Sequence, residues 1–191
     1  LHRRRHSFPT RRSSDLGLNG GSLLDPRVTV VNADAGQWLD THAEVFDLIV
    51  ADFPDPSNFG LGKLYSVPIY RLMARHLSDN GALVVQSTSP WFAPRSYWCI
   101  DATLREAGFH THPYHAYVPS FGEWGFNLAT RRPGYTPPTQ YSVPTRFLDA
   151  ETTRLMFQFP PDMQPLPVEA NHLNSQSLVH YFEQDWGNVV R

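Results

Sequence analysis

Apolar and polar residues fall along this chain in two rhythms, and their order predicts a sequence of elements. Residues 27–33, RVTVVNA, are β-branched and end at Asp34, which predicts a strand. Residues 36–40 predict a short helical turn. Residues 46–51, FDLIVA, form a continuous apolar run ending at Asp52, the pattern of a strand covered on both faces in a parallel sheet. Residues 52–63 are rich in Pro, Gly, Ser and Asn and predict a loop. Tyr65, Ile69, Leu72, Met73 and His76/Leu77 then recur at helical spacing. Asp79-Asn80-Gly81 predicts a turn, and residues 82–86, ALVVQ, a second buried strand. A helix is expected over 95–107, stopped by Gly108 in a left-handed cap. Residues 109–118 and 124–129 flank 119–123 and predict an antiparallel pair.

Strand–helix–strand–helix followed by a hairpin predicts an α/β fold with a mainly parallel sheet. Residues 133–167 carry eight prolines, which suits a surface-hugging or linking stretch around one short helix near 149–158. A last helix is expected over roughly 175–186.

Composition narrows the classes. The 191 residues are 41% hydrophobic and 18% charged, enough for one core and one domain. A net charge of −2 excludes a nucleic-acid binder that works by phosphate attraction alone. The longest purely apolar runs are a few residues, so none spans a membrane. Cys99, the single cysteine, excludes an internal disulfide framework and a cysteine-based zinc site. Five of the 16 basic residues and one of the 18 acidic residues fall in 1–16, which leaves the remainder at −6. That arginine-rich stretch lacks apolar periodicity and is similar to translated adapter sequence, so 1–16 is expected to be a non-native leader. Residues 17–132 then form the α/β part, and 133–191 a Pro-rich segment with C-terminal helices packed on it.

In open α/β sheets, ligands bind beyond the carboxyl ends of the strands. Three expected strand ends carry polar groups: Asp34; Asp52 and Asp55; Gln86 with Ser87 and Ser89. Each aspartate alone is an ordinary cap or turn residue. Together, opening on one edge of the sheet, they point to a site. Asp52-Phe53-Pro54-Asp55-Pro56 is the sharpest element, with two carboxylates stiffened by two prolines. Such a lip suits a cationic substrate, and one carboxylate could take a proton from an amine. His110, His112 and His115 fit a surface or interface set better than a metal site, and no metal is expected. Trp91, Phe92, Tyr97 and Trp98 either floor an amine pocket by cation–π contact or pack around the strand exit. Cys99 fits a small buried hydrophobe.

These residues resemble the polyamine aminopropyltransferases, the spermidine synthase family. Asp52–Pro56 matches that family's D-x-x-D-P motif. Asp25-Pro26-Arg27-Val28 with Asp34-Ala35 is similar to its D-P-R-V…D-G/A segment. Leu64-Tyr65 and Ile69-Tyr70, the run from Val84 to Trp91 (VVQSTSPW), and residues 119–126 match later motifs in the correct order. The tail, 141–191, resembles a bacterial branch whose full-length members carry an N-terminal multi-span membrane region.

The resemblance implies a Rossmann-like, S-adenosylmethionine-methyltransferase-type sheet with strand order 3-2-1-4-5-7-6. The segment 27–33 would be the third strand and 46–51 the fourth. The first two strands, the glycine-rich nucleotide loop and the N-terminal hairpin domain would be missing, since 17–21 is no substitute for the loop. The fourth strand would then be a naked edge, and the chain alone inactive and poorly soluble. The implied reaction moves an aminopropyl group from decarboxylated S-adenosylmethionine, a co-substrate rather than a cofactor, onto a diamine such as putrescine. Spermidine and 5′-methylthioadenosine result. By resemblance Asp52 is the base, Asp55 holds the amine or its distal ammonium, and Gln86 hydrogen-bonds the diamine. Tyr65 lines the site, and Asp34 and Ala35 contact the adenine. Phe121 stands where many members have a tyrosine, and Glu123 could supply the polarity. A cytoplasmic setting, tethered through an upstream membrane region, and a homo-oligomeric full-length form are implied. An S-adenosylmethionine-dependent N-methyltransferase and a non-catalytic domain of a membrane protein are the alternatives.

Overall fold

The computed structural model of the chain describes residues 20–189, with nothing described of the Asn188 and Val189 side chains. The leader expected at 1–16 lies outside the described residues. The chain divides into two units, residues 1–35 and 36–191.

In the first unit, a 3-10 turn at Ser22–Leu24 follows Gly21, whose φ of 75° is left-handed. The Arg27 guanidinium donates to both oxygens of Asp25 at 2.9 Å. Residues 28–34 form no strand, which corrects the expectation for 27–33. A β-branched run becomes a strand only where another backbone accepts its ladder, and among the described residues none pairs with it. Val28, Val30 and Val31 are exposed.

Helix α1 (Ala35–Thr41) leads into the second unit. There, β1 (Phe46–Ala51) is followed by α2 (Phe59–Gly62) and a 3-10 turn at Lys63–Tyr65, where a loop was expected. Asn58 explains the turn of helix, since its Oδ1 accepts from the N–H of Leu61 at 3.0 Å. Next come α3 (Val67–Arg75), β2 (Leu77–Gln86), α4 (Pro94–Glu106), β3 (His110–Val118) and β4 (Gly122–Thr130). Gly108, with φ 101°, ends α4: its N–H bonds to Arg105 O at 3.0 Å and that of Phe109 to Leu104 O at 3.1 Å. The Pro-rich stretch carries α5 (Ala150–Met156), and α6 (Ser177–Val189) ends the described chain.

The sheet order is β1-β2-β4-β3, which corresponds to the expected 4-5-7-6 half. Among the described residues, only β1 and β2 run parallel; the other two ladders are antiparallel, so the sheet is mixed rather than mainly parallel. Asp79-Asn80-Gly81 is not a free turn but lies inside β2, where the register jumps from Phe46↔Leu77 to Leu48↔Ala82.

Helices cover one face of this sheet. Leu83 and Val85 of β2 are fully buried there with Tyr70, Met73, Ile100, Leu104 and Leu178. Their neighbours Val84 and Gln86 face the other way and are half-buried. On β1, Leu48 and Val50 are 58% and 64% exposed, so this strand is not covered on both faces. It is an edge strand among the described residues.

The C-terminal part is tied into the covered face by Asn171, which is fully buried. Its amide donates to Gly62 O at 2.8 Å and Tyr65 O at 3.3 Å, its Oδ1 accepts from Leu178 N, and its own N–H reaches Thr103 Oγ1 at 2.8 Å. Among the described residues, no helix is long and apolar enough to cross a membrane.

Candidate active site

The uncovered face becomes a cleft of about 1080 Å³ at the carboxyl ends of β1 and β2. Asp52, Phe53, Pro54 and Asp55 form its lip, Val50, Val84 and Gln86 its floor, and Tyr114, Phe121, Trp124 and Phe126 one wall. Phe92 and Trp186 line it as well.

The lip is held from behind. Tyr65 is fully buried, and its hydroxyl lies 3.0 Å from Phe53 O, 3.1 Å from Pro54 O and 3.3 Å from Gln86 Oε1, three acceptors for one donor. Burial first, then the charges of Asp55 and Asp52, push its ionisation upward, so the phenol remains a donor. Tyr65 was expected in the wall; it positions the lip instead. Asp52 is exposed at the end of β1, whereas Asp55 is half-buried. Burial pushes the Asp55 carboxyl up from its ordinary value, and the hydrogen bond from the Gln86 side chain opposes this. Asp55 Oδ1 is buried and accepts no hydrogen bond from the protein.

Gln86 is aimed by the corner after β2. Ser87 Oγ bonds to Val85 O at 2.8 Å, and Asn127 Nδ2 to Ser87 Oγ at 3.1 Å. Thr88 adopts φ 57°, a left-handed conformation that costs free energy in a β-branched residue. Ser89 Oγ donates to Glu123 O at 2.6 Å and accepts from the N–H groups of Trp91 and Phe92. This corner turns Phe92 into the cleft and leaves Trp91 exposed outside it. Tyr97 and Trp98 are buried in packing instead, so of these four aromatics Phe92 is the one that lines the cleft.

Glu123 does not enter the cleft. Strand parity puts it beside Trp124 in sequence but on the opposite face, where its carboxylate meets His115 Nδ1. His115 Nε2 lies 2.7 Å from Gln158 O. Phe121 does sit on the rim, 59% exposed and packed on Trp124 with ring centroids 5.0 Å apart. Asp34 and Ala35 close the first unit, both exposed.

His112 packs on Tyr135, and among the described residues no group of three His, Cys, Asp or Glu side chains could hold a metal. Cys99 is buried, and burial pushes its thiol up to about 12, which leaves it inert. Several wall residues carried no sequence signal used above: Tyr114, Trp124 and Phe126 share one face of the hairpin by period-two spacing, which could have found them. Trp186 stands on a distant helix and had none.

Sheet order and cleft together define an α/β protein of the Rossmann-like methyltransferase type whose acidic lip opens on an aromatic pocket. The spermine/spermidine synthase domain matches residues 6–136, more than half of the chain, and the chain belongs to that family. It is similar to polyamine aminopropyltransferase 2 of Ralstonia nicotianae, with 66% identity over 177 residues, 92% of this chain and 35% of that protein. It is also similar to the polyamine aminopropyltransferase of Leptospira interrogans, with 44% identity over 173 residues, covering 91% and 34%. This chain therefore spans about a third of the length of the curated relatives it matches. Among solved structures, spermidine synthase from Thermotoga maritima aligns with TM-score 0.64 and 15% identity, covering 93% of this chain and 56% of that one. A spermidine synthase complexed with the transition-state analogue AdoDATO aligns with TM-score 0.65 and 16% identity, covering 93% and 57%. These two likenesses are likenesses of fold.

Proposed function

We propose that the full-length protein transfers the aminopropyl group of decarboxylated S-adenosylmethionine to a diamine such as putrescine, giving spermidine and 5′-methylthioadenosine. The observation that carries this reading is the half-buried Asp55, with an oxygen that accepts nothing from the protein, at the lip of an otherwise aromatic cleft. Such a carboxylate offers an ammonium or amine group an acceptor and a counter-charge. The relatives' names agree with the reaction class.

In this reading an amine lies between Asp52 and Asp55, with Gln86 fixing Asp55. Asp52, exposed to solvent, accepts a proton from the amine. The freed nitrogen lone pair attacks the aminopropyl carbon next to the sulfonium. The new C–N bond forms as the C–S bond breaks, and the sulfur leaves as a neutral thioether. Tyr65 holds the lip at one separation from the floor, so the nucleophile arrives aligned. An N-methyltransferase would use the same fold, but two carboxylates at the lip fit a polycation better than a single amide or ring nitrogen. The same reading sets the domain in the cytoplasm, tethered to the inner membrane through an N-terminal region of the longer protein.

The test is product analysis by mass spectrometry with the full-length protein, putrescine, and either decarboxylated or intact S-adenosylmethionine. Spermidine from the decarboxylated donor supports the reading. Methylputrescine from the intact donor, or no product from either, overturns it.

A further inference from the structure

Asp55 Oδ1 shares the cleft with one other buried polar atom that has no partner, the indole Nε1 of Trp186. Nothing in the transfer chemistry uses it. Trp186 is held in place by its helix: Asp185, the preceding residue, accepts from Ser96 N at 3.0 Å and Ser96 Oγ at 2.9 Å. Gln184 Oε1 accepts from Arg95 at 2.7 Å. The Trp186 ring lies 6.0 Å from that of Phe92 at an interplanar angle of 28°. Phenylalanine would fill this wall without stranding an N–H, so tryptophan is a costly choice for packing alone.

The indole face, rather than its N–H, offers a reason for the choice. Among the described residues that line the cleft, the only acidic side chains are Asp52 and Asp55, both on the lip, because Glu123 faces away. A diamine carries two basic ends. With one at the lip, the other meets aromatic rings, the indoles of Trp124 and Trp186 among them, and an indole face attracts a cation more strongly than a phenyl ring.

We propose that Trp186, backed by Phe92, is a specificity-determining residue that receives the remote ammonium of the acceptor by cation–π contact. The cleft thereby selects diamines over monoamines of equal length. This rests on the aminopropyl-transfer reading above.

The experiment compares the full-length wild type with Trp186→Phe and Trp186→Leu. It measures the KM for putrescine, the inhibition constant of butylamine, which has the same chain and no second charge, and the melting temperature. The putrescine KM should rise roughly threefold in the first variant and about tenfold in the second, the range expected of a partly desolvated cation–π contact. The kcat should stay within about twofold, the signature of lost ground-state binding. Butylamine inhibition should be almost unchanged, and Trp186→Phe should melt no lower than wild type. Equal weakening of both amines would mean apolar packing only and overturn the proposal, as would an unchanged putrescine KM. If Trp186→Leu fails to fold, Trp186→Phe decides alone. A wild type that makes no spermidine removes the transfer reading and this inference together. An active wild type with indifferent variants removes only this inference.

Discussion

Consecutive residues of the same strands meet opposite fates on the two faces of the sheet. On β2, Leu83 and Val85 disappear under helices, while Val84 and Gln86 floor the cleft. On β4, Trp124 and Phe126 line the cleft, while Gly125 lies against the Tyr97 ring so closely that an added Cβ would fall 2.3 Å from Tyr97 Cε2. Period-two alternation therefore divides the residues: one parity packs into the core, the other lines the cleft. The difference teaches where stability and activity can be changed independently.

The largest stability effect should come from the covered parity. Leu83→Ala should lose about 2–5 kcal/mol, because a fully buried leucine leaves a cavity. Val84→Ala, one residue along and half-exposed, should lose under ~1 kcal/mol. Urea unfolding of both variants checks the pair, and equal losses would break the division between faces.

Asn171→Ala should follow, at about 2–4 kcal/mol, since it strands the buried carbonyls of Gly62 and Tyr65 and the N–H of Leu178. The same unfolding measurement reads it.

Smallest in stability, and opposite in sign, is Asp55→Asn. An acid whose folded pKa is raised favours the fold below its unfolded pKa and loses that contribution as pH rises through the folded value. At neutral pH the ionised Asp55 therefore opposes folding. Asp55→Asn should melt above wild type at neutral pH, with the gap closing as pH falls through the carboxylate range, while the putrescine KM rises. Melting curves across pH, beside steady-state kinetics, test both halves.

Much of the fold was legible from local signals. The apolar runs at 46–51 and 82–86 and the turn-rich stretch at 119–123 between two strand-like segments are such signals, and Gly108 marks its helix end directly. What depended on a distant partner was not legible. Residues 27–33 have the composition of a strand but no ladder partner among the described residues. Asp79-Asn80-Gly81 has the same local chemistry in a bulge as in a turn, and only its pairing with β1 distinguishes the two. In the site, Asp52, Asp55 and Gln86 follow from where apolar strands stop. Glu123 was misplaced because one residue of hairpin register flips a side chain to the other face. Trp186 enters the cleft from a helix about a hundred residues beyond Gln86, and no local pattern announces such a meeting.

On the proposed reading, the uncovered face performs amine chemistry with Asp52 as its base, while the covered face supplies stability. Asp52→Asn in the full-length protein tests this most directly, with turnover of decarboxylated S-adenosylmethionine and putrescine and the melting temperature measured on the same preparation. Turnover should fall by roughly 10²–10⁴-fold, the usual share of general-base catalysis, with the melting temperature unchanged. Near-normal turnover at neutral pH, or a loss of activity that merely tracks unfolding, would contradict it.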